Sequence, residues 1–364
     1  MRPVRALLLY ARLPENETLS YQQAWPRHFL AHPAFDCDPV DVLSLSDTRR
    51  LRLRSLARRT RYDAVVILHS VFSNGRYLHG PLLELVARLS VPKAYFVGNE
   101  YKGLPEKMWF CEEVGVDLLV SQFTTEEPLR LYRERLPGTT VVGIPNTGWD
   151  PELFASRVPP EERPLDLGYR AFENDVALGH RERRELADRF LDVAATNGLR
   201  VDISLDPADR LDEAGWAGFL NRCKGQLGSE AGGDYFELTD ETRNAVNAYR
   251  AEHPDTSFEE IRERFFRDYR DPVPGRVLSG RNVEAAGTKT VQLLLEGAYG
   301  GYLEPDVHYI PLRKDFSNLD EALAKFRDDG FATHVRENAF ALAHDLTYPK
   351  LIDRFKDALA PLLG

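Results

Sequence analysis

Cysteine is scarce in this chain. Cys37, Cys111 and Cys223 are the only three among 364 residues, far apart and in no CxxC pair. That spacing offers neither a disulfide framework nor a zinc site and fits a reducing compartment such as the cytoplasm. Long apolar runs are missing too. Residues 4–9 are apolar, but Arg12 and Glu15 follow at once, so the run reads as a first strand and not as a signal peptide. No stretch approaches the ~20 apolar residues of a membrane span. Excess positive charge is absent. With 47 Lys and Arg against 57 Asp and Glu, the net charge is −10, which excludes a general nucleic-acid binder but leaves room for a local basic pocket.

Several motifs are also missing. The turn after the first strand, residues 11–17, has no glycine, so the backbone cannot close on a dinucleotide pyrophosphate. The second half opens with the single glycine of Gly168-Tyr169-Arg170. GxxxxGK[ST], GxSxG and HExxH are absent, which argues against a P-loop enzyme, a serine hydrolase of the elbow type and a zinc protease. No Asp-x-Asp stands at a strand end suited to a metal–diphosphate clamp, so no metal is expected.

What is present is an alternation of short apolar runs with amphipathic stretches. Strands are predicted at 4–9, 40–45, 64–68, 94–97, 117–120 and 140–144, and helices at 22–32, 81–89, 106–114 and 128–136. A turn-rich patch from Pro145 to Pro164 interrupts the series. The alternation then restarts, with strands at 165–169, 201–205, 291–295 and 308–312. Helices are predicted at 181–196, 216–227, 241–253, 258–268 and 284–290, followed by a helical tail over 320–363. The 43% hydrophobic content suits two packed cores. The expected fold class is α/β, with two Rossmann-like doubly wound domains facing a cleft, divided as 1–158 and 159–340, with a C-terminal helix at 341–364.

The most informative segment runs Ser279-Gly280-Arg281-Asn282-Val283-Glu284-Ala285-Ala286-Gly287-Thr288-Lys289-Thr290. A helix starting near Glu284 aims free N–H groups at whatever precedes it, and a diphosphate is the natural occupant. With the later Glu304-Pro305-Asp306-Val307-His308-Tyr309-Ile310, this segment resembles the GT-B glycosyltransferases of the CgeB-like and group-1 branch. Their signature is a (Pro/Gly)-Arg-x-(Phe/Val)-Glu-Ala run, then an apolar strand, then a His-Tyr-(Ile/Val) strand. The resemblance covers most of the second half. It implies transfer of a sugar from a nucleoside diphosphate sugar, with the acceptor on the first domain, the donor on the second, and the last helix packing back on the first. The donor set it implies is Tyr169, Arg170, Glu230, Arg281, Asn282, Glu284, Lys289 and Thr290. Glu284 takes ribose hydroxyls, and the cationic side chains take the diphosphate in place of a metal.

Two positions depart from the family pattern. Arg276 stands where retaining members carry the first glutamate of EX7E, and Lys289 stands where a glycine is usual. In the first half, His69 and Glu100 each end a predicted strand, where a general base for an acceptor hydroxyl and its orienting partner belong. Each candidate has a plain structural alternative: a helix-end charge for Glu284 and Arg281, a core histidine for His69, turn geometry for Glu230. A sugar-nucleotide epimerase and a non-catalytic sugar-nucleotide-binding protein are the alternative functions. The basic stretch containing Arg49, Arg50, Arg52, Arg54, Arg58 and Arg59 reads either as a solvated helix or as a surface for an anionic acceptor or a membrane.

Overall fold

The computed structural model describes residues 2–13, 19–56, 62–269 and 272–364, and the side chains of 52–56 lie outside it as well. Residues 14–17 of the glycine-free turn, and Arg58 and Arg59, are therefore outside the described residues. The chain divides into two units. Unit 1 comprises Met1–Asn146, Phe236–Glu241 and Tyr348–Gly364, and unit 2 comprises Thr147–Tyr235 and Thr242–Thr347.

Unit 1 opens β1 (Val4–Tyr10), α1 (Ser20–Ala31), β2 (Phe35–Asp41), α2 (Leu45–Leu56), β3 (Ala64–Ile67), α3 (Gly80–Ala87), β4 (Lys93–Phe96), α4 (Leu104–Val114), β5 (Leu118–Ser121), α5 (Glu126–Arg135) and β6 (Thr140–Gly143). The six strands pair in parallel in the order β2-β1-β3-β4-β5-β6. Strands enclosed on both faces need apolar side chains on both faces, which is why Ala6–Leu9 and Ala64–Ile67 read as unbroken apolar runs and are fully buried. The chain leaves β1 to one side for β2 and then crosses to the other for β3. The carboxyl ends of β1 and β3 are thus the switch point, where open α/β sheets form a crevice. There the Ala11 amide donates to Ser70 Oγ at 2.9 Å.

Unit 2 contains β7 (Leu165–Arg170), α6 (Glu182–Asn197), β8 (Val201–Ser204), α7 (Glu213–Leu220), β9 (Cys223–Gly228), β10 (Ala231–Gly233), α8 (Glu241–Glu252), α9 (Phe258–Ile261), β11 (Gly275–Val277), α10 (Gly280–Gly287), β12 (Val291–Leu295), β13 (Ile310–Leu312), α11 (Leu319–Arg327) and α12 (Asp329–Ala343). Its parallel sheet has the order β13-β12-β9-β7-β8, and β10 pairs antiparallel with β11. The switch point here lies between β7 and β9. The predicted helix over 216–227 is two elements, since α7 stops at Leu220 and β9 begins at Cys223. Glycine is what lets this strand sit centrally: a Cβ at Gly225 would meet the Phe326 ring at 2.7 Å and Leu167 at 2.9 Å.

The last helix, α13 (Tyr348–Leu359), belongs to unit 1 and packs on α1. Among the described residues, no helix is long and apolar enough to cross a membrane.

Candidate functional site

The carboxyl end of β7 delivers Tyr169 and Arg170 to the switch point of unit 2. Tyr169 is 2% exposed, and its phenol has no hydrogen-bond partner in the protein. Burial pushes that phenol up from its ordinary range, against the nearby charges of Arg281 and Arg183. The side chain packs in the core of unit 2 with Leu186 and Phe190, and an orphan buried hydroxyl there carries a desolvation cost. The Arg170 guanidinium is held by Asp202, Nη2 to Oδ1 at 2.5 Å, and lies over the Phe219 ring at 4.7 Å. Its Nε is buried without a partner.

Helix α10 starts beside this strand end. Ser279 and Asn282 form a reciprocal capping box, with the Ser279 amide donating to Asn282 Oδ1 at 3.2 Å. Asn282 Nδ2 in turn donates to Gln292 Oε1 at 3.0 Å, while Gln292 Nε2 is buried without a partner. Arg281 sits in the first turn, and its Nη1 donates to the Arg170 carbonyl at 3.3 Å, so Arg170 and Arg281 are brought together. Glu284 is buried one turn further on and accepts the Trp216 indole N–H at 2.7 Å.

Glu230 follows β9 at the same edge of the sheet. It is buried, accepts the Tyr299 amide at 2.6 Å, and packs against Gly297, where a Cβ would come within 2.4 Å of its carboxyl. Burial raises its carboxyl above the ordinary range. Two other sequence candidates are not in this group. Lys289 lies beyond the carboxyl end of α10, about 12 Å from its start at 1.5 Å per residue. Its Nζ pairs with Glu337 at 2.7 Å and lies over the Phe340 ring. Thr290 is a core residue at the amino end of β12, bonded to Arg163 and to the Leu220 carbonyl. Strand direction separates this pair from the rest, because the chain must traverse α10 before entering β12.

Sequence reasoning missed a second cluster. Arg276 is gripped by Glu182 through two bonds, at 2.8 and 3.0 Å, and by Asp234 at 2.5 Å. Lys314 reaches Glu182 at 3.0 Å, and His180 Nε2 donates to the Gly232 carbonyl at 3.1 Å. His180 Nδ1 is buried without a hydrogen-bond partner, 3.7 Å from Glu182 Oε2. Burial alone would raise Glu182, but Arg276, His180 and Lys314 outweigh it and bring its carboxyl down to about 2. Burial and then the Arg276 charge bring His180 down to about 4. Arg276 stands out in the sequence as a departure from the family pattern, but nothing local joins it to Glu182, 94 residues away.

In unit 1, His69 lies at the β1/β3 switch point, 3% exposed, ringed by Tyr21, Trp25 and Phe96 with centroids at 5.6, 5.8 and 5.3 Å. Burial lowers it to about 3, so it is neutral near neutral pH. Glu100 is buried after β4. It accepts from Ser121 Oγ, Tyr132 OH and the Gln122 amide at 2.7, 2.7 and 2.6 Å. Burial raises it to about 7 against those three bonds and the Lys107 charge. The His69 ring faces α1, whereas Glu100 faces β5 and α5. No hydrogen bond joins them, and the base-and-orienter pair read from the sequence is not assembled.

No protein-family profile matches the chain, and no curated protein matches it. Solved structures do. An α-glucosyltransferase in complex with UDP aligns at TM-score 0.56 with 10% identity, over 98% of this chain and 99% of that one. Sucrose-phosphate synthase from Thermosynechococcus elongatus aligns at 0.54 with 9% identity, over 99% of both. HepE from Anabaena, in complex with UDP and glucose, aligns at 0.50 with 10% identity, over 99% and 100%. At such identities the likeness shows the architecture, and the chain has the GT-B fold, two Rossmann-like α/β domains in a single polypeptide.

Proposed function

We propose that the protein is a glycosyltransferase that takes a sugar from a nucleoside diphosphate sugar bound in unit 2 and that it belongs to the CgeB-like, group-1 branch. One observation carries the reading. The capped start of α10 lies beside the carboxyl end of β7, where Arg281 in its first turn donates to the Arg170 carbonyl, and the buried Glu284 follows one turn along the same helix. Free amides at a helix start and two guanidinium groups suit a diphosphate. Glu284 is the acceptor for vicinal ribose hydroxyls on the same helix. The α-glucosyltransferase and HepE structures that share the fold hold UDP, which makes a uridine nucleotide the first donor to try.

In this reading Arg281 and the α10 amides stabilise the charge that develops on the leaving diphosphate, so metal is not required. Arg170 first exchanges its bond with Asp202 for the ligand. Glu230, raised by burial, hydrogen-bonds the sugar. Glu100 holds the loop after β4 against α5 and is a positioning residue; His69 lies nearer the acceptor's place. The location is cytoplasmic, in keeping with the three free thiols.

The test is a thermal-shift screen against UDP, GDP, CDP and dTDP and their sugar conjugates, repeated on Glu284→Ala. A ligand specific for the native state raises Tm by mass action. A rise with one nucleotide, lost in the variant and unchanged by chelator, supports the reading. No rise with any of them, with the fold intact, overturns it. Conversion of the donor into an isomeric sugar nucleotide without acceptor identifies an epimerase instead.

A further inference from the structure

We propose that Trp216 is a positioning residue for the donor nucleotide: it orients Glu284 toward the ribose hydroxyls and so sets a preference for a ribonucleotide over its 2′-deoxy form. The inference rests on the donor reading above and names what that site selects. Trp216 and Phe219 stand three apart on α7 and share a face of the helix. Their rings stack, with centroids 5.5 Å apart and planes 19° apart. Asp212 fixes the start of α7 by accepting the Gly215 amide at 2.7 Å. From this pair of rings two contacts run out, one to each half of the donor site. The Trp216 indole N–H donates to Glu284 Oε2 at 2.7 Å, and the Arg170 guanidinium lies over the Phe219 ring at 4.7 Å. A glycine seats the rings. A Cβ at Gly168, two residues before Arg170, would come within 2.7 Å of the Phe219 ring, which explains the glycine of Gly168-Tyr169-Arg170.

An indole N–H donates and accepts nothing. It therefore fixes the rotation of the Glu284 carboxyl group without exchanging a proton with it. Both side chains are buried, so water competes little for this bond. Two vicinal hydroxyls must be met at once, and an acceptor already held in one rotation meets them without losing rotamer freedom on binding. The stack on Phe219 holds the indole itself, so the ribose and diphosphate halves of the site stand on one pair of rings. The consequence is selectivity. A site built to hydrogen-bond a hydroxyl rejects the analogue that lacks it, because its buried polar group is then left unpaired.

The test is isothermal titration of the full chain with UDP, GDP and CDP, each beside its 2′-deoxy counterpart. The parent protein should bind one ribonucleotide about tenfold or more tighter than its deoxy form, the factor for a hydrogen bond to a carboxylate. Trp216→Phe keeps a ring on Phe219 but lacks the N–H. It should weaken the ribonucleotide alone and bring the two forms close to equal affinity, whereas a general loosening of the fold would weaken both alike. A second measurement uses the parent protein only. Of its four tryptophan indole N–H signals in nitrogen–proton NMR spectra, one should move with the ribonucleotide and stay in place with the deoxy form. A parent that binds both forms equally, a preference that survives in Trp216→Phe, or indole signals that respond alike to both forms would each overturn the proposal and leave nucleotide binding in place. A parent that binds none of the three nucleotides overturns it together with the donor reading.

Discussion

At the residue scale, the best-tied side chain is one that the sequence does nothing to advertise. Arg163 is 1% exposed, and its guanidinium donates to the carbonyls of Val158, Cys223, Thr288 and Lys289 and to the hydroxyls of Ser156 and Thr290. Burial lowers it to about 10, so it stays charged near neutral pH. Arg163→Met would leave several buried carbonyls without donors. Each such acceptor costs about 1–3 kcal/mol, so a loss of at least about 3 kcal/mol is expected in urea unfolding; a loss under about 1 kcal/mol would contradict this account. The buried histidines make a second residue-scale prediction. His69 falls from 6.5 to about 3 and His180 from 6.5 to about 4 on folding. Between those values the unfolded chain binds more protons than the native one, so stability falls as pH drops below about 6.5. His69→Phe should remove up to one proton from that linkage, about 1.4 kcal/mol per pH unit. Unfolding free energies of parent and variant between pH ~6.5 and ~4 measure it, and parallel curves would rule it out.

At the element scale, legibility followed burial pattern. Strand β3 and helix α6 were read within a residue or so of their observed ends, because Ala64–Ile67 is uniformly apolar and Glu182–Asn197 is strongly amphipathic. Strand β9 was missed. Its sequence, Cys-Lys-Gly-Gln-Leu-Gly, has no apolar alternation, since close packing against Phe326 and Leu167 demands glycine where propensity would ask for a β-branched residue. That strand borders the switch point, so the reading lost the element that positions Glu230. Helix α10 was read from Glu284, one turn late, because its first turn is carried by the cap and not by apolar periodicity. The resemblance groups Lys289 and Thr290 with Arg281, and in space the length of α10 lies between them. The same helix supplies a test of packing against propensity. Gly287 is its last residue, and propensity would have Ala stabilise it by up to about 1 kcal/mol. A Cβ there would come within 2.1 Å of the Trp149 indole nitrogen, which is bonded to the Phe154 carbonyl. Overpacking at about 1–3 kcal/mol wins. Gly287→Ala should therefore lower Tm, and an unchanged or higher Tm would show that Trp149 moves aside freely.

At the scale of the whole molecule, the chain visits unit 1 three times: at its start, through Phe236–Glu241, and at its end. The middle visit places Phe236 against the Phe123 and Tyr132 rings and sets the Asp240 carboxylate on the Gly103 amide at the start of α4. A reading that moves along the sequence assigns such a short segment to its neighbours, because only contacts distant in sequence reveal where it belongs. The last visit is larger. Helix α13 buries Leu351, Ile352, Phe355 and Leu359, and the Phe355 ring meets Phe29, Phe35 and Phe96 of the first visit. Burying four such side chains contributes about 6–12 kcal/mol at about 1.5–3 each. That is comparable with the entire stability of an ordinary domain, about 5–15 kcal/mol. A chain ending at Thr347 should therefore lose the native state of unit 1, exposing Trp25, Phe29 and Phe96. Limited proteolysis read by mass spectrometry provides the measurement. Peptides from 1–146 should be released from the shortened chain well before they are released from the full one, and adding the 348–364 peptide in trans should restore part of the protection. Equal protection of 1–146 with and without α13 would mean that the core of unit 1 closes without it.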